Sequence, residues 1–291
     1  MRKIALVVAV TFLAACGGSS SSTPAGTGYL RVANLSPDLG ALDFCVAASG
    51  TTTFTGPVMA AAGAASGLVA AADGSKAVSK YFAYTAGTYD VRVIASVSGA
   101  TCSTPLLTAT GVSLGDGVYK LVAAVGATGV TGAPHALVSF TDEATVASNR
   151  VAIRFVNAGL LQIPPSAPSP LPGLNIGFTI GTVYTGVFTN VAYPGKGPAG
   201  GLVDANGYAT VDPTGLVAGT KITSCLYPDV PPAVTCASLP LPTGYSITGG
   251  TVSSAYVIGY AGAPPNALLC GDNAPPPVAG YAYTPCLVPA P

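Results

Sequence analysis

Hydrophobic and polar positions alternate along most of this chain. Leu30 and Val32 fall on one side of a two-residue repeat and Arg31 on the other. Tyr89, Val91 and Val93 share a face, with Asp90 and Arg92 opposite, and Tyr119, Leu121 and Ala123 share another. Period-two runs of about five to nine residues, closed off by Gly, Pro and Asp, are strand signals. They predict strands near 29–35, 41–47, 78–84, 88–96, 104–112, 117–125 and 135–141, then near 151–157, 174–180, 183–191, 207–211, 220–227, 233–239 and 253–260. The Ala-rich stretch 58–72 fits one short helix or a loop equally well. Seven or so short strands per half predict an all-β chain built as a Greek-key, immunoglobulin-like β-sandwich, with a barrel as the alternative.

The pattern repeats itself in order. Tyr29-Leu-Arg31-Val-Ala-Asn34 answers to Ala152-Ile-Arg154-Phe-Val-Asn157, and Ala86-Gly87-Thr88 to Ala218-Gly219-Thr220. Cys102-Ser-Thr-Pro-Leu answers to Cys236-Ala-Ser-Leu-Pro-Leu, and the run around Tyr119 to the run around Tyr256. Four ordered landmarks imply two tandem domains, 29–148 and 149–291, too few copies for a solenoid. Two long loops set the second copy apart, Gln162–Pro172 and Tyr193–Gly201, the first of them Pro-rich and expected to be extended.

The start of the chain breaks the pattern. Arg2 and Lys3 precede an apolar run from Ile4 to Phe12, and Leu13-Ala14-Ala15-Cys16 follows. This is the layout of a bacterial lipoprotein signal peptide, 1–15, with cleavage leaving Cys16 to carry a diacylglycerol. Residues 16–28 then read as a lipidated Cys and a Gly/Ser linker. Together with an amide-linked acyl chain the diacylglycerol is enough for stable attachment. The later apolar stretch Ala60 to Ala72 is too short to span a bilayer and is interrupted by glycines and Ser66. The expected location is the cell envelope, lipid-anchored. Gly17 after the cysteine, where Asp would retain a lipoprotein in the inner membrane, points to the outer membrane, periplasmic or surface-facing.

Composition changes this picture in two ways. Charged residues make up only 8% of the chain, with 11 basic and 11 acidic side chains, so there is no basic patch for phosphates and nucleic acid is not an expected partner. The 37 Gly and 26 Pro could signal disorder, but 49% hydrophobic residues argue for packed cores. Seven cysteines less Cys16 leave six, an even set that in an exported protein reads as disulfides. Six allow 15 pairings; the first-ranked one, Cys45–Cys102, Cys225–Cys236 and Cys270–Cys286, is among those that keep each bond within one domain. The repeat alignment puts Cys225 at the position of Val93, a plausible start for a hairpin bond to Cys236. With one histidine and no paired C-x-x-C spacing, a zinc site is not expected.

Candidate chemistry is sparse. Nucleophilic catalysis needs a positioned base, and His135, after Pro134 at the start of a predicted edge strand, reads as solvated or capping. Asp142-Glu143, at the end of the first copy, reads as a solvated turn. Asp38 with Asp43, or Asp204-Ala-Asn206-Gly207, could offer oxygens to calcium, although both segments also read as turns. Of the 14 tyrosines most lie at strand positions, and Tyr281 and Tyr283 in the Pro-rich tail are the expected exposed pair. No catalytic constellation emerges, so the chain is expected to be non-enzymatic and to need no cofactor.

Arg31-Val-Ala-Asn34-Leu-Ser36-Pro37-Asp38, followed by Leu42-Asp43-Phe44-Cys45-Val46, resembles the opening of the bacterial domain-of-unknown-function family 4397. Tyr84-Thr-Ala-Gly87-Thr-Tyr-Asp-Val-Arg-Val93 and Gly117-Val-Tyr119-Lys-Leu-Val are similar to its later strands. The second copy departs from the pattern: Asn157-Ala-Gly159 lacks the Ser-Pro-Asp turn and Asn175 stands where Asp43 does. The resemblance implies a tandem exported or surface-anchored β protein and no catalytic residues. The expected function is a binding, adhesion or scaffolding module. The alternative is a carbohydrate- or peptidoglycan-binding module, calcium-dependent or not. The expected partners are the membrane, through the lipid on Cys16, and an envelope protein or glycan.

Overall fold

The structure is a computed structural model that describes residues 26–70, 76–142, 145–161, 169–170, 172–216, 219–233, 236–240, 248–258, 266–272 and 286–287. The leader, Cys16, the spacer to residue 25, Glu143, residues 162–168, Tyr281 and Tyr283 lie outside the described residues. The first half contains β1 (Thr27–Asn34), β2 (Leu42–Ala48), the one-turn helix α1 (Val58–Ala61), β3 (Phe82–Thr85), β4 (Gly87–Ala95), β5 (Leu107–Leu114), β6 (Tyr119–Val125) and β7 (Ala136–Asp142). The second contains β8 (Val151–Asn157), the short β9 (Leu160–Leu161) and β10 (Ser169–Pro170), β11 (Leu174–Ile180), β12 (Val183–Val191), β13 (Gly195–Lys196) and β14 (Tyr208–Val211). It ends with β15 (Lys221–Leu226), β16 (Cys236–Pro240), β17 (Val252–Ile258), β18 (Asn266–Gly271) and β19 (Cys286–Leu287).

The strands form open sheets that stack, not a closed barrel. In the first half β3-β1-β6-β7 faces β2-β4-β5, and in the second β13-β8-β17-β18-β19, with β14 also on β8, faces β12-β11-β15-β16. Alternation explains each packing. Leu30, Val32, Val122 and Ala124 point toward Leu42, Phe44, Val91 and Val93 across the first sandwich. Ile153, Phe155, Ala255 and Val257 point toward Ile176, Phe178, Phe188 and Ile222 across the second. The opposite faces of the two central sheets meet each other: Ala33, Leu121, Ala123, Val125 and Phe140 pack with Val156, Tyr256, Ile258 and Leu268. The result is four layers. Burial on both faces is why every residue of β8 and β17 is buried, and both lie in a parallel pair, the arrangement that needs two covered faces.

Several sequence expectations move. The linker stops short of residue 28, because Thr27 and Gly28 already pair with Thr85 and Tyr84, and the Thr27 amide donates to Asp116 at 2.9 Å. The strand expected at 78–84 forms at Phe82–Thr85. Of the Ala-rich stretch, only Val58–Ala61 is helical. The strands β18 and β19 were not expected. The repeat is also in a different register at its last landmark. Tyr119 lies opposite Tyr29, whereas Tyr256 lies opposite Val156, the counterpart of Ala33, so Ala123 and not Tyr119 matches Tyr256. Likewise Asp43 faces Ile94 and Asn175 faces Cys225, which makes Ile94, not Val93, the counterpart of Cys225.

Among the described residues three disulfides tie neighbouring elements within single sheets: Cys45–Cys102, Cys225–Cys236 and Cys270–Cys286, with Cα separations of 5.8, 4.0 and 4.2 Å. The last two join directly opposed residues, β15 to β16 and β18 to β19. Cys45–Cys102 instead ties β2 to the β4–β5 connection across a sequence separation of 57. The longest loop removes the most disorder from the unfolded chain on the chain-entropy account. The double variant Cys45→Ala/Cys102→Ala is therefore expected to lose about 2–5 kcal/mol in urea unfolding, and more than Cys225→Ala/Cys236→Ala.

Candidate functional site

Arg31 and Arg154 occupy the same repeat position, in the middle of β1 and β8, on the faces where the central sheets meet. Asp142 closes β7, and Asp272 follows directly on β18. All four side chains have no solvent exposure. Arg31 donates from Nε to Asp142 Oδ2 at 2.9 Å and from Nη2 to Asp272 Oδ1. Arg154 donates from Nη2 to Asp142 Oδ1 and from Nε to the Ser254 hydroxyl at 3.0 Å. Each half thus lends its arginine to the other half's aspartate.

The surroundings repeat the same symmetry. Tyr81 donates to Asp142 at 2.6 Å and Tyr208 to Asp272 at 2.7 Å. Each guanidinium lies 4.7 Å from the ring centre of its own half's tyrosine, Arg31 over Tyr81 and Arg154 over Tyr208. The carbonyl before each aspartate accepts from the opposing arginine: Thr141 from Arg154 at 2.9 Å, and Gly271 from Arg31 at 3.4 Å. Ser254 completes Asp272 at 2.6 Å. Two cations and two anions cancel, and the polar atoms around them are satisfied, which is what makes such burial tolerable. Burial alone would raise the Asp142 carboxyl, but Arg31 and Arg154, with the hydrogen bonds from Tyr81 and Arg154, hold it below the ordinary carboxylate value. Burial pushes the Tyr256 phenol up to about 12. Chemically the network is closed, and its work is to join the halves.

Asp142 is therefore not part of a solvated turn. A carboxylate ending an edge strand reads as exposed only when nothing covers that sheet, and here the second sandwich covers it. Sequence reasoning passed over the network as a whole, although one signal was present: an arginine at the same place in both copies, inside otherwise apolar strands.

The candidate calcium carboxylates all accept hydrogen bonds from the protein itself. Asp43 accepts from the amides of Phe44, Met59 and Ala60 at 2.6, 2.7 and 2.9 Å, and so anchors the first turn of α1 to β2. Asp38 receives His135 Nε2 at 2.7 Å, the Thr128 amide at 2.8 Å and the Ser36 hydroxyl at 3.1 Å. Burial would raise the Asp38 carboxyl, but these bonds, His135 foremost, bring it down to about 2. His135 thus pins the β1–β2 loop to the β6–β7 loop. Gly126 permits that approach, since at φ +88° a Cβ would stand 2.2 Å from the Pro134 carbonyl oxygen. Asp204 accepts from the amides of Asn206 and Tyr208 at 2.8 and 2.9 Å, a turn that starts β14. Among the described residues no group of three or more His, Cys, Asp or Glu side chains could hold a metal.

Four of the seven exposed large apolar side chains among the described residues, the others being Ile180, Val183 and Leu202, lie on two loops. Val97 and Leu106 sit on the β4–β5 connection, and Tyr227 and Val230 on the β15–β16 connection. The pairings of Leu42 with Ala95 and Leu174 with Leu226 put both connections at the end where β1 and β8 finish. The β1–β2 and β6–β7 loops held by Asp38 are at that end too.

No family model and no curated protein matches the chain. Among solved structures, a similarity is found to the Bacillus anthracis TIE protein, at 11% identity and a TM-score of 0.19, covering 80% of this chain and 34% of that one. The chain spans about a third of that structure's length. A likeness so slight carries no argument about either fold or function.

Removing one member of a buried, reciprocal network strands its partners. Asp142→Asn is expected to cost about 3–5 kcal/mol at pH 7, whereas Lys221→Gln on an exposed strand end changes stability by less than about 0.5 kcal/mol. Urea unfolding measures both. The Asp142 carboxyl is depressed in the folded state, so its contribution is present above the unfolded value of about 3.9 and is lost as pH falls below it. An acid titration is expected to unfold the wild type below about pH 4, with a shallower dependence in Asp142→Asn.

Proposed function

We propose that the chain is an exported, lipid-anchored envelope protein that works as a rigid binding or adhesion module rather than as an enzyme. The observation that carries this reading is that loops of both sandwiches expose large apolar side chains at the same end, Val97 and Leu106 on one and Tyr227 and Val230 on the other, remote from the end where β1 begins. Loops held by a stiff β scaffold are where recognition usually resides. Pinning of the β1–β2 and β6–β7 loops through Asp38 and His135 reduces the ordering cost of a contact made there. Three disulfides suit an oxidising compartment, in keeping with the leader and Cys16. Resemblance of the first half to family 4397 supports an exported tandem protein.

Two measurements in one strain test the proposal. Cys16→Ser is expected to release the protein from the membrane fraction of a two-membrane bacterium; equal retention would overturn the anchor. A photo-crosslinking residue at Val97 or Val230, activated on living cells, is expected to give a discrete adduct. The same residue at Thr108, on the outer face of β5, is expected to give none. Equal labelling at all three sites, or no adduct at any, would overturn recognition by the loop end.

A further inference from the structure

The end of the molecule at which β1 begins carries its own apolar feature. The hairpin between β11 and β12 turns through Gly181 and Thr182, and it exposes Ile180 and Val183, the latter at 66%. Its position follows from the pairing. Asn157, at the finish of β8, donates to the Pro172 and Val191 carbonyls beside the start of β11 and the end of β12, so their turn lies at the opposite end, where β8 starts. β7 finishes opposite the start of β6, which is opposite the start of β1, and only residues 143–150 separate β7 from β8. β1 and β8 therefore start at the same end. Lys221 sits beside the turn, paired with Thr179, and Arg150 precedes β8 at the same end.

Gly26 lies ten residue steps beyond Cys16, a reach of at most about 35 Å when fully extended. On the reading that Cys16 is acylated, Gly26 cannot stand farther than that from the bilayer surface, and the end nearest the tether is the one carrying this turn. We propose that the β11–β12 turn is a second membrane contact: Ile180 and Val183 enter the interfacial region of the lipid bilayer, and Lys221 sits among the headgroups. An apolar tip with a long basic side chain at its rim suits that boundary, since the lysine stem lies along apolar surface while its ammonium stays wet. Two shallow side chains give little affinity alone. They act because the lipid already holds them at high local concentration, and they orient the molecule with its recognition loops away from the membrane.

The chain contains no tryptophan, so a single one reports its own surroundings. The acylated full-length variants Val183→Trp and Val97→Trp, both at exposed positions, are reconstituted on vesicles of phosphatidylcholine and phosphatidylglycerol with or without brominated acyl chains. Val183→Trp is expected to shift its emission to the blue and to lose at least about half its intensity to bromine, a two-fold drop, while Val97→Trp stays unquenched. Equal quenching at the two sites, in protein that floats with the vesicles, would overturn the second contact and leave the anchor standing. Protein that is not acylated and does not float would overturn the anchor, and the contact with it. A blue shift seen without vesicles and rising with protein concentration would make a second copy of the chain the occupant, and would also overturn the proposal.

Discussion

Two arginines and two aspartates that no solvent reaches sit where the central sheets meet, and the rest of the architecture depends on their being there together. Removing four charges from water costs several kcal/mol per ion even after relaxation. The cost is offset only in one arrangement, with Arg31 between Asp142 and Asp272 and Arg154 beside Asp142 and Ser254. A slip of one residue along β1 would turn Arg31 into the apolar interior of its own sandwich and take a cation from both Asp142 and Asp272, and a slip along β8 would take Arg154 from Asp142. The ionic network therefore sets the register of one half against the other. The apolar contacts of Ala33, Leu121, Ala123 and Phe140 with Val156, Tyr256 and Leu268 supply the area but no comparable selectivity.

The arrangement also has the form of a two-fold interface. The surface patch on one half, an arginine in its first strand and an aspartate at the end of the strand that pairs antiparallel beyond the central parallel pair, meets its counterpart on the other half, so each patch is complementary to itself. Closed symmetric pairs are built in this way from separate subunits. Here the two patches are on one chain, and the copies differ where symmetry is not required. Leu121 stands in the place of Ser254, and each half has its own disulfide pattern.

Much of the fold could be read from period-two alternation, because outer strands such as β4 have one buried and one solvated face. The same logic explains what could not be read. β17 and β18 are covered on both faces, so their sequences do not alternate, and β18 was missed. The landmark at Tyr256 misaligned by four residues because runs of small apolar residues in β6 and β17 look alike at several offsets. Keeping each bond inside one copy leaves only Cys45–Cys102 in the first, while in the second, where four cysteines allow three pairings, the bonds formed are those between neighbours in sequence. The role of Asp142 was not legible, since whether a strand-end carboxylate is solvated depends on a layer contributed by the other half, from β8 and Arg154 just beyond it to β17 and Asp272 far along the chain. Nor could the sequence show that Asp38 and Asp43 are consumed by backbone amides and His135, because only the fold brings those donors within reach.

Joining by such a network has a thermodynamic consequence for the whole molecule. If neither half keeps its inner sheet covered without the other, they unfold together, despite each having its own core. Scanning calorimetry of the oxidised chain at pH 7 tests this most directly. The account predicts one transition whose calorimetric enthalpy equals its van't Hoff enthalpy. Two resolved transitions, each accounting for about half of the heat, would show that the halves are independent and would contradict it.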